Sequence, residues 1–542
     1  MKRDCLTWLK CVMVIAVVIS VGRSERCRLQ ADVGSPKGAN VQFRVSTMFT
    51  NNMVLQHGMR DAVWGWAKPG DVVHVQFAGR RLRGKAALGT GKWMVHVGPL
   101  AENSKPRTMV ISDGGVQLKL KNVLVGEVWL VSGQSNMQYP MAGWFHRTNL
   151  AGALAGAHHP TIRFYHVPML PSMFAGRAHE TAPAKWRVCT PETTAGVSAV
   201  GYLFCDDLHR RLHEPIGMIE ADWGGTSIEA WIPARGYERS HQLGREKRWL
   251  KKAMGREAGL HGGVAPANAT GLVNSPHGYS YHFKSKWLPD AHQNPTTLFN
   301  GMIAPLIPYA IRGAVWYQGE NNVLAFDRHY FAKLQALVTG WRTLWDQGNF
   351  PFYIVQIAPF NYAAAWCGPN RSDAPFEPLV WQAEERAAKT LPDCGIVSTM
   401  DIGDIANIHP ADKADVGHRI ALLALAKVYG RKVTAFSGPV FKSVECHGSK
   451  VTIHFAHTNG GLVSRNGKPL NWFFLAAQAG NFYPARAVIR GKSVILSARK
   501  VPTPARVRFA WSCVAQPNLM NRAGLPALPF QVTLAAKVRP AG

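Results

Sequence analysis

The sequence predicts an α/β protein in which a parallel sheet flanked by helices lies between an N-terminal and a C-terminal β-sandwich-like domain. Three observations predict it. Short strand-like runs punctuated by Gly and Pro fill residues 32–122. From residue 123 to about 430, apolar strands alternate with amphipathic helical stretches, the pattern of a sheet covered on both faces. Strand-like runs then return over residues 431–542.

Residues 1–24 read as a secretory signal peptide. Lys2, Arg3 and Lys10 precede the apolar run Cys11–Val21, and the small residues Gly22 and Ser24 follow it. That run is shorter than the roughly 20 apolar residues a bilayer span needs. In the N-terminal β domain, Val63–Trp66, Val72–Phe77 and Trp93–Val97 are strands separated by turn signals such as Lys68-Pro69-Gly70-Asp71. In the central part, Val128–Ser132, Ile216–Ala221, Gly313–Tyr317, Phe352–Ile357 and Gly395–Met400 are strands, and Leu203–Leu212, Tyr330–Trp345 and Ala414–Tyr429 are helices. Residues 240–295, basic and rich in Gly and His, read as a surface excursion. The C-terminal domain is expected to hold strands at Val451–Phe455, Ala487–Ile489, Val494–Leu496 and Val507–Trp511.

The chain carries 62 basic and 33 acidic residues, a net charge of +29. Such an excess favours anionic partners, or is a general basic bias without one. Its densest runs, Arg80–Lys85 and Arg245–Lys252, sit in no zinc-finger, RNP-like or helix-turn-helix context, so no nucleic-acid partner is expected. After signal cleavage Cys27, Cys189, Cys205, Cys367, Cys394, Cys446 and Cys513 remain. They contain no Cys-x-x-Cys pair, which excludes the usual structural zinc site. In an oxidising compartment some form disulfides, and their odd number leaves one thiol over. The sequons at Asn268 and Asn370 fit a glycoprotein of the same compartment. The protein is therefore expected in the secretory pathway, extracellular or lysosomal, without a membrane anchor.

Ligands of parallel sheets bind at the carboxyl ends of the strands, and four motifs lie there. Gly126–Met137 is a buried strand that ends in Ser-Gly-Gln-Ser-Asn-Met and presents Ser135 on a tight turn. A nucleophilic serine needs such a position, with its own N–H aimed at the developing oxyanion. Asp222–Trp231 follows the second strand, and Gly224 and Gly225 let the backbone approach a ligand. After Gly313–Tyr317, the amides of Gln318, Asn321 or Asn322 are candidate oxyanion donors, and Glu320 is read as structural. Asp401–Pro410 follows the last strand and carries His409, placed to reach Ser135 as general base.

Together these motifs resemble the SGNH hydrolase superfamily and, within it, the sialate O-acetylesterase family. The resemblance covers nearly the whole chain after the signal. It includes Met53-Val54-Leu55-Gln56, the block around Ser135, Asn300–Leu306, Trp316–Glu320, Ile408-His409-Pro410 and Gly524-Leu525-Pro526. It implies a serine esterase that removes O-acetyl groups from sugars, typically sialic acids of the 9-O-acetyl type, with no metal or organic cofactor. By motif match Ser135 is the nucleophile and His409 the base. The N–H groups of Ser135 and of Gly224 or Gly225 form the oxyanion hole, completed by an amide from Gln318–Asn322.

One position departs from the pattern. SGNH enzymes usually place an Asp three residues before the His, where this chain has Ala406; related esterases place it two before, where Asn407 stands. Asp404, or else Asp401, is then expected to orient the imidazole, unless Asn407 does so without a charge. Two other readings compete: an acetylesterase of other polysaccharides such as acetyl-xylan, and a catalytically weak glycan-binding homologue.

Overall fold

A computed structural model of the chain describes residues 42–144, 149–172, 184–261, 272–275, 278–281, 291–362 and 376–534. The signal segment, Cys27, Cys367 and both sequons lie outside the described residues.

The centre of the molecule is an eleven-stranded mixed sheet. Its strands in chain order are β1 (Val54–Gln56), β2 (Val72–Phe77), β3 (Arg80–Lys85), β4 (Asn103–Ser112), β5 (Gln117–Gly133), β6 (Ile162–His166), β7 (Arg187–Val188), β8 (Ile216–Asp222), β9 (Gly313–Tyr317), β10 (Phe352–Val355) and β11 (Cys394–Val397). Strand β5 belongs to two neighbourhoods. Its first half pairs antiparallel with β4, and its second half pairs parallel with β8 on one side and β9 on the other. The side chains follow suit: residues 117–122 alternate exposed and half-buried, whereas 123–133 are buried throughout. A strand with helices on both faces has no wet side and needs no alternation. The boundary expected at 122/123 falls inside β5.

Beyond β5 the order across the sheet is β7-β6-β8-β5-β9-β10-β11. All of these pair parallel except the edge strand β7. The chain first builds outward from β5 through β6 and β8, then returns to its other side with β9. The crevice between β8 and β9, at the end of β5, is thus a topological switch point where such sheets take ligands.

Helices α1 (Ala199–Leu212), α2 (Tyr330–Trp345), α3 (Phe376–Thr390) and α4 (Ala414–Lys427) cover the sheet. Successive strand residues point to opposite faces. Trp129 of β5 meets Phe204 of α1 with ring centroids 5.1 Å apart. Trp316 of β9, which pairs with Ser132, meets Trp341 of α2 at 6.0 Å on the other face. Ser198 starts α1 by accepting the Gly201 N–H at 3.0 Å, and His213 in the left-handed region ends it. Gly417 lets α4 press against Leu203 and Phe204, where a Cβ would stand only 2.8 Å from the Leu203 Cβ.

Toward the N-terminus, a three-stranded sheet (Arg44–Val45, Asp61–Trp66, Lys92–Val97) accompanies β1–β4. Toward the C-terminus two four-stranded antiparallel sheets form, one of them from Val440–His447, Lys450–Ala456, Ser493–Ser497 and Arg486–Arg490. The stretch read as a surface excursion contains a helix, Gly244–His261, and a short hairpin, Leu272–Ser275 with Gly278–Tyr281. Among the described residues no helix is long and apolar enough to cross a membrane.

Candidate active site

The site begins where β5 stops. Gly133 has φ of +150°, and a Cβ there would meet the Tyr317 carbonyl oxygen at 2.1 Å, so only glycine lets β5 end this close to β9. Gln134 N–H donates to the same carbonyl at 3.0 Å, and a single helical turn, Ser135–Gln138, follows. The first N–H groups of such a turn have no intrahelical acceptor. Among the described residues, no protein group accepts from the Ser135 or Asn136 N–H.

His409 arrives from the loop after β11, and its Nε2 stands 2.9 Å from Ser135 Oγ. The imidazole lies edge-to-face against Trp144, with centroids 4.5 Å apart. Its backbone N–H donates to Asn407 Oδ1 at 3.0 Å, which shapes the loop but leaves the ring without a carboxylate. The structure does not bring Asp404 to it. The Asp404 Oδ1 accepts the Ala406 N–H at 2.9 Å in a tight turn of its own, and no hydrogen bond joins it to His409. Asp401 is committed elsewhere, in a two-pronged pair with the buried Arg419 at 2.8 Å for each contact. The Ser–His pair is thus a dyad among the described residues. Burial, reinforced by the nearby Lys413, pushes the His409 imidazole down to about 3, so it rests neutral and able to accept a proton.

Lys413, at the start of α4, is completely buried. Its Nζ donates to Asn136 Oδ1 at 2.6 Å, and the Asn136 amide donates to Glu320 Oε1 at 2.5 Å and to the Ile408 carbonyl at 3.0 Å. Asn136 therefore ties the nucleophile turn directly to the loop that carries the base. Burial lowers Lys413 to about 7, against the upward pull of Glu320 and Asp412, and burial raises Glu320. Glu320 is structural, as its position suggested.

The expected oxyanion donors divide. Gly224 lies against the nucleophile: a Cβ there would be 3.3 Å from the Ser135 Cβ. Its N–H donates to Gln138 Oε1 at 2.9 Å, so a substrate oxygen would share or displace that contact. Gly225, at φ +71°, has its carbonyl held by the Gln293 amide at 2.5 Å, and its N–H donates to no protein group among the described residues. Gln318 and Asn322 face away from this role. Both are fully buried, and the Gln318 amide donates to Gln134 Oε1, the Thr226 carbonyl and Asn322 Oδ1 at 2.7–3.1 Å. The Asn322 amide donates to Glu229 and Asp327 at 3.0 and 2.9 Å. With every amide hydrogen spent, these two brace the loop after β8. Half-buried Asn321 donates to Ser227 Oγ at 2.5 Å and to Gln293 Oε1 at 3.4 Å, the second contact being weak.

Gln134, Asn136, Gln138, Trp144 and Lys413 were not singled out in the sequence. Gln134 and Asn136 flank the serine inside one motif, which is the available signal for them. Lys413 has none, since a lysine ahead of an apolar helix ordinarily caps a solvated end.

Among the described residues one grouping has metal-ligand spacing: His57, Glu127 and Glu214. Only Glu127 lies on β5, upstream of Ser135, and the Arg312 guanidinium already holds it at 2.6 and 2.8 Å, with Tyr429 and His57 each at 2.8 Å. A guanidinium in the first contact layer repels a cation, so these residues do not fit a metal.

Residues 258–425 match the family model described as carbohydrate esterase, sialic acid-specific acetylesterase. The chain is 28% identical to the sialate O-acetylesterase of Homo sapiens over 438 residues, covering 76% of this chain and 75% of the relative. It is also 28% identical to that of Rattus norvegicus, covering 76% and 78%. Among solved structures, a carbohydrate acetylesterase from Xanthomonas citri superposes with a TM-score of 0.75 at 30% identity, covering 90% of this chain and 99% of the other.

Proposed function

The chain belongs to the sialate O-acetylesterase family of carbohydrate esterases, and from that premise we propose that it hydrolyses the O-acetyl esters of sialic acids, of the 9-O-acetyl type, on a Ser135–His409 dyad. The 2.9 Å contact between Ser135 Oγ and His409 Nε2, groups 274 residues apart in sequence, carries the proposal.

The neutral imidazole takes the Ser135 hydroxyl proton as Oγ attacks the acetyl carbonyl. The tetrahedral oxyanion is received by the Ser135 N–H and by the backbone at Gly224 and Gly225, preorganised dipoles that cost no reorganisation at the moment of reaction. His409 then returns the proton to the departing sugar oxygen, leaving an acetyl-enzyme. Water attacks the acetyl carbon while giving a proton to His409, Oγ leaves, takes that proton back, and acetate is released. Trp144 and the Asn136 tie hold the ring and the serine in register, in place of an orienting carboxylate. We read the sheet as SGNH-type and the protein as acting in the secretory pathway, extracellular or lysosomal; the disulfides expected there do not form at Cys189, Cys205, Cys394 or Cys446, which stand as thiols.

The test is acetate release from 9-O-acetylated sialic acid, with acetyl-xylan alongside and Ser135→Ala as control. Wild-type protein releases acetate from the sialic acid, and Ser135→Ala loses at least about a thousandfold in kcat. Release from acetyl-xylan alone would move the substrate to other polysaccharides, and an active Ser135→Ala would remove the mechanism.

A further inference from the structure

The far end of β5 carries a different surface. Strands β3, β2, β4 and the first half of β5 lie side by side and antiparallel. Paired residues share a face, and the registers line up Arg81, Gln76, Val110 and Lys119 in one row and Arg83, His74, Ser112 and Gln117 in the next. Lys85 and Lys121 extend the same face, one alternation further along β3 and β5. The alternate residues Val73, Val75, Met109 and Ile111 are buried on the other side. The basic side chains are exposed, and no position on the face is Asp or Glu. The turn carboxylate Asp113 is occupied at home: its Oδ1 accepts the Gly115 and Val116 N–H groups at 3.0 and 2.8 Å.

Next-but-one residues on a strand are roughly 7 Å apart, inside a screening length of about 8 Å at physiological salt. Arg81, Arg83 and Lys85 therefore repel one another, as do Lys119 and Lys121, with no carboxylate between them to relieve it. An anion bound across the face relieves it, and a flat, wet sheet offers no pocket for a small one. We propose that this face is a docking surface for an acidic polysaccharide, a polymer whose repeated carboxylate or sulfate groups span the four strands. It rests on the reading of the Ser135 site as one that acts on acidic glycans, since it would hold such a polymer to the enzyme. The surface lies roughly 45–60 Å of extended strand from Ser135, so it retains the chain without touching the ester.

The experiment measures binding of full-length protein to immobilised polysialic acid and, separately, heparin, with neutral dextran as control. One variant replaces Arg81, Arg83, Lys85, Lys119 and Lys121 by Gln. A charge-matched variant replaces the exposed Arg235, Arg245, Arg248, Lys251 and Lys252 by Gln. The expected result is a loss of about tenfold or more in affinity, and a shallower salt dependence, for the first variant alone. The two arms tell whether carboxylate or sulfate is preferred. Equal losses in both variants would mean that net charge, not this face, attracts the polymer, and no loss in the first would equally overturn the proposal. Hydrolysis of 4-nitrophenyl acetate, unchanged in the face variant, separates this outcome from any failure of the esterase reading. If the fivefold variant does not fold, the Arg81, Arg83 and Lys85 triple variant serves, with a smaller loss expected.

Discussion

The lowered His409 fixes how activity should vary with pH. A base held near 3 in the free enzyme is unprotonated throughout the neutral and mildly acidic range, so kcat/KM should stay level as pH falls and decline only below about 4. Lys413→Met removes the positive charge that helps hold the imidazole down, which should move that decline up toward the ordinary histidine value of about 6.5. It should also cut kcat by about tenfold, because Asn136 Oδ1 loses its buried donor. A pH–rate profile of the two proteins checks both; a decline near 6.5 in the wild type, or one unmoved in the variant, would count against the account. At this scale the sequence reveals residue type and strand-end position, which suffice to pick out Ser135 and His409 as a contacting pair. It does not reveal which way an amide points. Gln318 and Asn322 have the right chemistry and the right place in the chain, yet both turn inward, because each sits among acceptors supplied by Gln134, Thr226, Glu229 and Asp327. Asp404 likewise spends its carboxylate on its own turn.

Helix α3 shows what an inward-facing polar stripe does to an element. Glu377, Val380, Trp381, Glu384 and Ala387 recur at helical spacing and are all buried. Burial raises the Glu384 carboxyl well above its usual range; its Oε1 accepts the Ile357 N–H at 3.3 Å, while Oε2 meets no partner among the described residues. Its folded pKa lies above the unfolded value of about 4.3, so its contribution is fully present below that value and is lost as pH rises toward the folded pKa. Glu384→Gln mimics the neutral acid at every pH. Thermal unfolding should give nearly equal Tm for both proteins at pH 4 and a Tm higher by about 2 °C or more for the variant at pH 8.5. An equal Tm at both would mean that Glu384 is ionised and solvated in the fold. The helix Phe376–Thr390 was not among the elements expected, since its glutamates blur the apolar stripe. Strands β5, β8, β9, β10 and β11 were, since their continuous apolar runs have few other uses, whereas β6 (Ile162–His166) was not. The first half of β5 escaped notice because its Lys-Leu-Lys alternation resembles a solvated loop until a partner strand defines the face.

At the scale of the whole molecule, β5 is the strand that joins the antiparallel and the parallel parts of the central sheet. Its partners come from Val54–Gln56 and Asn103–Ser112 before it, and from Ile216–Asp222 and Gly313–Tyr317 after it. A sequence read segment by segment divides here, because the texture changes from alternating to continuous at residue 122, while the hydrogen-bonded sheet runs straight through. A chain ending before Gly313 has β5 complete but its second parallel edge open, with the apolar stretch Val128–Val131 along it. Such a truncated chain should be recovered aggregated, whereas one carried through Leu534 should be recovered monodisperse by size-exclusion chromatography. The same order of events is imposed at the ribosome. The strand that will present the nucleophile emerges early and waits for β9, roughly ten to forty seconds at about 5–20 residues per second. Through that interval the nascent chain exposes an unpaired parallel edge, so any shielding of that edge acts during translation rather than after it.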